Sequence, residues 1–599
     1  MDVRGPAAGY PHRIVEKLKF SENSSLIAIS FIVGISTGLG AVLFRWLILN
    51  FRDLFFGHEI NWMIPLIPMF GGLLVGPIVH FFATEAKGHG VPEVMAAVAL
   101  KSGVIRPRVA VAKAVASAIC IGSGGSAGRE GPIVQIGAAV GSTIGQVFRL
   151  SGDRVKILVG CGAAAGISAV FNAPIAGVIF ALEVILGDFT IKTFSPVILS
   201  SVLSSVTARA ILRDTPAFIV PPYEIVSAFE IPLYILLGGF AGVVAVLFTR
   251  TLYLSEDLFD KLVKFPGYLK PALGGLLLGF TGLLAVNLDY AGFSHLSAPA
   301  IFADGYEAAS SVLGGGGLWY TLLALIVLKI LATNLTLGSG NSGGIFAPSL
   351  FMGAMAGGLF GIIVHSLFPS VTAHPGAYAL VGMAAVVAGT THATITSILI
   401  VFEMTKDYRI MLALMIACVF STLVARRLLK PSIYTLKLIR RGINLSGGRD
   451  VNLLEIVTVK EIMLREFKAI PMHTNLPSLF RYLEESTETT LPVITPSGKL
   501  YGMISFQDLR QILTRHEVDD LVIASDIATR DIVSVTENEN LRQALEKFGR
   551  RDFDLLPVVD NEDPSIIKGV IHKSYLLSYY NKRLMERMVK EGESVDYAL

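Results

Sequence analysis

The sequence predicts an all-α polytopic membrane domain followed by a soluble α/β domain, and three observations carry that prediction. Hydrophobic residues fill 52% of the 599 positions and charged residues 16%. The mean hydropathy is +0.62, a balance that suits lipid better than water. Apolar runs crowd the chain as far as residue 430, beyond which charge rises. Both parts also repeat internally. The expected organisation is an N-terminal segment (1–24), a membrane domain (25–440) with halves of roughly 30–215 and 230–430, a linker (441–454), and two small domains (455–518 and 519–599).

The first 24 residues are polar and lack an apolar stretch, so no cleavable signal peptide is expected. Arg13, Lys17 and Lys19 precede the membrane block, and Arg426, Arg427, Lys430, Lys437, Arg440 and Arg441 follow its last run. The positive-inside rule then places both termini in the cytoplasm of a cell-membrane protein. Ser25–Ile48 and Ile231–Leu254 are nearly free of charge, whereas many other runs are short and broken by glycine or proline. About 20 apolar residues span a bilayer core, and broken segments persist at that depth only where they line a cavity or are buried in protein. Such a chain conducts or carries a solute. The net charge of +3 gives no case for a nucleic-acid partner. Cys120, Cys161 and Cys418 lie in membrane segments without paired spacing, which reads as small apolar packing rather than a disulfide or zinc site.

The membrane block is duplicated. Lys113, Gly122-Ser-Gly-Gly-Ser126, Pro132 and Gly137-Ala138 recur 216 positions later as Lys329, Gly338-Ser-Gly-Asn-Ser342, Pro348 and Gly353-Ala354. Gly162, Ala173, Ile175 and Glu183 recur as Gly382, Ala393, Ile395 and Glu403, an offset of 220. Pro68–Gly76 matches Pro271–Gly279, and Ala41-Val-Leu-Phe44 matches Ala245-Val-Leu-Phe248. Repeated transporter halves usually meet at a midplane site built from broken helices. Each Gly/Ser loop precedes an apolar run and is expected to open a helix. Exposed N–H groups and the dipole at such an N-terminus attract an anion without a full charge, so that it can also leave. The alternative for these glycines is close helix packing; two matched loops favour the site.

The acidic residues argue against a cation carrier. Glu183 and Glu403 are repeat partners, which suggests a structural task such as capping a backbone. Glu93 lies beside another glycine loop. Glu130 has no acidic counterpart, because position 346 is Phe. A carboxylate unique to one half, in a glycine loop at membrane depth, is a candidate functional group. Ionised, it would compete with an anion for the site; protonated, it would vacate it.

These residues resemble the CLC family of chloride channels and chloride/proton antiporters across 25–440. The matching motifs are Gly88-His-Gly-Val-Pro92, Gly128-Arg-Glu-Gly-Pro132 and Gly344-Ile-Phe-Ala-Pro348, with Tyr434 after the last membrane segment. The resemblance implies the CLC fold, with two inverted halves per subunit, and a homodimer carrying one voltage-gated pore in each subunit. It makes Glu130 the gate and assigns the central chloride, or a similar small anion, to the backbone N–H groups of Ile345 and Phe346 and to the Tyr434 hydroxyl. Lys113 matches a buried family lysine near the pore, although its partner Lys329 leaves a structural role open.

The sequence departs from the family pattern at two places. The first motif usually has serine at its second position, donating a hydroxyl to the anion. Here it is His89, which could donate N–H and add charge when protonated, or could point away and leave coordination to backbone. The family's antiporters place a proton-transfer glutamate directly after Glu183, where this chain has Val184. Valine carries no proton, and Glu183 itself is expected on a different helix face. An uncoupled, channel-like pathway is therefore expected, with a chloride/proton antiporter using a relocated proton route as the alternative.

The C-terminal part is duplicated as well. Ile462, Ile470, Asn475-Leu476 and Leu491-Pro-Val493 recur 65 positions later as Ile527, Val535, Asn540-Leu541 and Leu556-Pro-Val558. Each unit reads as strand, helix (Leu476–Glu484, Leu541–Phe548), strand, turn, strand, helix, and resembles a CBS domain. CBS pairs can bind adenine nucleotides through a Ser/Thr-x-x-Asp turn. The first unit has Ser505-Phe-Gln-Asp508, while the second has His572-Lys-Ser-Tyr575 and lacks the aspartate. At most one nucleotide is expected there as a ligand, with an unliganded docking module as the alternative; no cofactor is required and no metal site is expected. Clustered membrane carboxylates for a divalent cation and a nucleophile–base pair for an enzyme are both missing from the sequence pattern.

Overall fold

The computed structural model describes residues 22–57, 63–212, 226–289, 299–443, 457–484, 490–505, 522–549 and 554–580, with isolated positions at 218, 221, 223, 224 and 508. Arg13, Lys17, Lys19 and most of the 441–454 linker lie outside the described residues. The chain divides into two compact units, 1–449 and 450–599.

The first unit is helical. Its first half runs through α1 (Glu22–Phe56), α2 (Leu66–Pro77), α3 (Val91–Leu100), α4 (Pro107–Gly122), α5 (Glu130–Val147), α6 (Gly152–Phe171), α7 (Pro174–Phe180) and α8 (Ile191–Leu212). The second half runs through α9 (Glu230–Asp260), α10 (Lys270–Asp289), α11 (Tyr306–Leu313), α12 (Trp319–Gly338), α13 (Phe346–Leu367), α14 (Pro375–Thr391), α15 (Thr394–Thr405) and α16 (Met411–Leu428), and α17 (Ile433–Arg440) closes the unit. Among the described residues eight helices are long and apolar enough to cross a bilayer. Helix α1 shows why they need lipid. Phe31, Ile32, Leu43 and Trp46 face outward, while Ser30 and Thr37 are fully buried. Small polar residues also line the internal seams: on α8, Ser200, Ser201 and Ser204 donate to the carbonyls of Cys161, Pro174 and Ala165. Such hydroxyls hold membrane helices together where apolar contact gives no preference over lipid. Cys120, Cys161 and Cys418 are buried free thiols within this packing.

The sequence duplication is a structural one. Lys113 Nζ donates to the carbonyls of Ala86 and Gly88, and Lys329 Nζ donates to those of Ile301 and Ala303. Both ammoniums therefore tie the loop preceding a broken helix, which gives Lys113 the structural task its repeat partner suggested. Glu183 accepts from the backbone N–H of Ile395 and Thr396, and Glu403 accepts from those of Ile175 and Ala176. Each carboxylate thus caps the N-terminus of the opposite half's helix, α15 or α7, satisfying donors that have no intrahelical acceptor.

The second unit holds two three-stranded sheets of the same topology. Strands β1 (Ile470–Pro471), β2 (Thr490–Ile494) and β3 (Leu500–Ser505) form one, and β4 (Val535–Thr536), β5 (Leu555–Val559) and β6 (Ile567–His572) form the other. In each, the first pair is parallel and the second antiparallel. Ile470 pairs with Val493 and Val535 with Val558, matching the sequence offset of 65. Helices Leu476–Glu484 and Leu541–Phe548 stand where the periodicity puts them. The short leading segments cross over: Val457, Val459 and Ile462 join the core of the second sheet, and Ala524 joins that of the first.

Candidate anion pathway

Three glycine-containing loops meet in the interior of the first unit. Gly88 N–H donates to Asn341 O at 3.0 Å, and Gly128 and Gly344 exchange backbone bonds of 2.8 and 2.7 Å. The two Gly/Ser loops open helices as expected, α5 at Glu130 and α13 at Phe346. First-turn N–H groups have no intrahelical acceptor, so both N-termini bring partial positive charge to the meeting point. Ile345 and Phe346 are both buried there. A Cβ at Gly128 would displace the Glu130 carboxylate folded back over it and crowd the Ala347 Cβ at 2.8 Å, so glycine is what lets the carboxylate lie there.

Glu130 is only 1% exposed. Its Oε1 accepts a 2.6 Å hydrogen bond from the Tyr306 hydroxyl, and its Oε2 is buried without a partner. Tyr306, the first residue of α11, is fixed in turn by Phe218, whose ring centroid lies 5.0 Å away, and by Arg129, whose guanidinium sits 5.6 Å over its ring. Sequence reasoning missed this tyrosine. The available signal was the repeat itself: the N-caps Gly90 and Gly305, 215 positions apart, both have positive φ (81° and 74°), making α11 the counterpart of α3.

His89 and Tyr434 come together on the other side of the loops. His89 is 3% exposed, and its ring lies 5.8 Å from that of Tyr434. Tyr434 occupies the first turn of α17, which is anchored by a reciprocal cap between Ser432 and Thr435. A second missed tyrosine, Tyr253 on α9, donates to Ile433 O at 2.5 Å and lies 3.5 Å from His89 Nε2.

Two cavities reach this constellation. One of about 290 Å³ is lined by Arg52, Asp53, Phe56, Asp304, Tyr306 and Glu307, among others. The other, about 580 Å³, is lined by Glu183, Val184, His392, Arg426, Lys430 and Tyr434, among others. They share no lining residue; Glu130 lines neither and is bonded to Tyr306 of the smaller one. Residues 181–186 form a π-helical turn, and Glu183 and Val184 both line the larger cavity, so a difference in helix face does not keep Glu183 from it. What removes Glu183 as a free carboxylate is its cap on α15. Among the described residues no three His, Cys, Asp or Glu side chains gather as a metal site.

In the second unit, Ser505 N and Oγ donate to Asp508 Oδ2 at 2.8 and 2.7 Å, and Asp508 N donates back to Ser505 Oγ at 3.3 Å. The two predicted nucleotide residues are therefore brought together in one turn after β3.

Residues 71–426 match the family of voltage gated chloride channels. The chain belongs to the CLC family. Residues 459–515 and 524–582 each match a CBS domain. This CLC protein is 34% identical over 423 residues to the H(+)/Cl(-) exchange transporter ClcA of Vibrio cholerae, covering 69% of this chain and 88% of that one. It is 32% identical over 509 residues to the chloride channel protein CLC-f of Arabidopsis thaliana, covering 76% of this chain and 63% of the other. A solved structure of a slow cyanobacterial Cl-/H+ antiporter is similar with a TM-score of 0.64 at 27% identity, over 71% of this chain and 99% of that one. A eukaryotic CLC transporter shares the fold over 92% of this chain and 97% of its own, with a TM-score of 0.59 at 20% identity. This CLC protein is thus a multi-pass membrane protein of a chloride-transporting family, with a C-terminal CBS pair.

Proposed function

We propose that each subunit of a homodimer holds one chloride pathway through the three-loop site, with Glu130 as its gate. The observation that carries this reading is a buried carboxylate at a helix start, held by Tyr306, a residue that lines one of the two cavities. The ionised carboxylate occupies the place of an anion at two helix N-termini; on protonation it loses its charge and yields that place. Ile345 and Phe346 N–H, Tyr434 and His89 then receive the anion. Flux accordingly rises as pH falls and Glu130 becomes neutral. Glu130→Gln removes the competing charge, so at saturating chloride its flux through proteoliposomes is high at every pH. Retention of the parent's pH dependence by the mutant would exclude Glu130 as the gate.

The pathway runs without stoichiometric proton coupling. Protons need titratable groups to cross apolar packing, and the larger cavity presents Val184 where an acid would serve, with Glu183 committed to a cap. The second reading, a chloride/proton exchanger, draws support from His392, a titratable side chain lining the same cavity. Both termini and the CBS pair lie in the cytoplasm of a cell-membrane protein on this account. The Ser505–Asp508 turn holds an adenine nucleotide by its ribose, through which the CBS pair modulates transport.

A further inference from the structure

His89 replaces a neutral donor with a group whose two nitrogens must be assigned, and the surrounding bonds assign them. A carbonyl only accepts, so the single hydroxyl proton of Tyr253 is spent on Ile433 O at 2.5 Å. The 3.5 Å contact between Tyr253 Oη and His89 Nε2 is then favourable with the imidazole proton on Nε2, the tautomer we assign. A neutral imidazole has one N–H, which leaves Nδ1 as a bare lone pair. Nδ1 is buried without a hydrogen-bond partner, an unfavourable arrangement for a polar atom. A lone pair repels an anion. The same nitrogen, protonated, donates to one.

We propose that His89 takes up a proton when an anion occupies the three-loop site, so that Nδ1–H donates to the anion and one proton binds with each anion. This deepens the transport reading above and rests on it. The charged and titratable groups around His89 come from every neighbouring element. Lys437 and Arg441 follow Tyr434 on and after α17, and Lys113 lies on α4. Glu93 on α3 pairs with Arg441 at 2.6 Å. Tyr253 and Glu256 lie on α9, and Glu130 opens α5. The charges felt most directly by the ring are the cations Lys437, Lys113 and Arg441, so an imidazolium there needs the anion as its counter-charge. The proton comes from bulk water. This linkage fixes how affinity varies with pH and is separate from transport stoichiometry.

The test uses full-length protein carrying Glu130→Gln, which removes the gate's own titration. Chloride binding is measured by calorimetry in two buffers of different ionisation enthalpy, between pH 5.5 and 8.5. Uptake approaching one proton per chloride is expected at pH values between the titrations of the chloride-free and chloride-bound imidazole, and over that interval Kd rises about tenfold per pH unit. Adding His89→Ser, or His89→Gln, should leave chloride binding that takes up no proton and ignores pH. The imidazole ¹⁵N spectrum of histidine-labelled Glu130→Gln protein supplies a readout that needs no His89 variant: one histidine should gain an Nδ1 proton on adding chloride. Chloride binding with a pH-independent Kd and no proton uptake, or a spectrum in which no histidine changes state, overturns the proposal while leaving the transport reading intact. No chloride binding by Glu130→Gln at any pH overturns the transport reading itself.

Discussion

Tyr306 holds Glu130, the proposed gate, by one hydroxyl. Hydrogen bonds to a charged group are worth about 1.5–3 kcal/mol, and every 1.4 kcal/mol is about tenfold in an equilibrium. Tyr306→Phe keeps the ring against Phe218 and Arg129 but removes the donor to Glu130. Chloride flux at neutral pH should therefore rise about tenfold or more, and the same change in a Glu130→Gln background should add nothing. Unchanged flux in Tyr306→Phe would show that the hydroxyl does not hold the gate. Glu130 was legible in the sequence because a lone carboxylate in a membrane glycine loop is chemically out of place. Tyr306 was not, being 176 positions away and of a residue type that membrane proteins use freely. Tyr253 was hidden for the same reason, and with it the tautomer of His89.

At the scale of elements, the reciprocal caps tie the two halves together. Glu403→Gln and Glu183→Gln preserve shape but replace a charged acceptor at the N-termini of α7 and α15. Each should lower stability by about 1–2 kcal/mol, as losing a cap does, and lower the thermal unfolding midpoint in detergent. A midpoint that moved in neither variant would contradict the capping role. In the second unit, adenosine triphosphate should raise the unfolding midpoint by mass action. Asp508→Ala should weaken that shift, because the turn loses both its cap and the proposed ribose ligand. Equal shifts in the two proteins would place the nucleotide elsewhere, and no shift in either would favour a docking module. Where helices start was readable, because Gly/Ser loops ahead of apolar runs leave little else for the chain to do. The π turn at 181–186 was not. Around it Glu183 and Val184 line the same cavity, a placement that sequence spacing alone does not reveal. The crossing of leading segments between the two CBS sheets was equally invisible, since a repeat shows which residues correspond but not which sheet they cover.

The whole molecule follows from duplication: one half supplies the Glu130 loop, the other the Ile345–Phe346 helix start, and α17 brings Tyr434 to the seam. Two repeats, read as ordered offsets, were enough to predict that such a seam exists. Whether the seam couples chloride to protons depends on which titratable groups line the larger cavity, and that is a matter of three-dimensional placement. The most direct test of the account sets a chloride gradient across proteoliposomes at symmetric pH and records chloride and proton movement together. Protein-dependent chloride flux should rise as pH is lowered, with no uphill proton flux in fixed ratio to it. A protein-dependent, ionophore-sensitive uphill proton flux of constant stoichiometry would contradict this reading and make this CLC protein an exchanger, with His392 and His89 as the first residues to substitute.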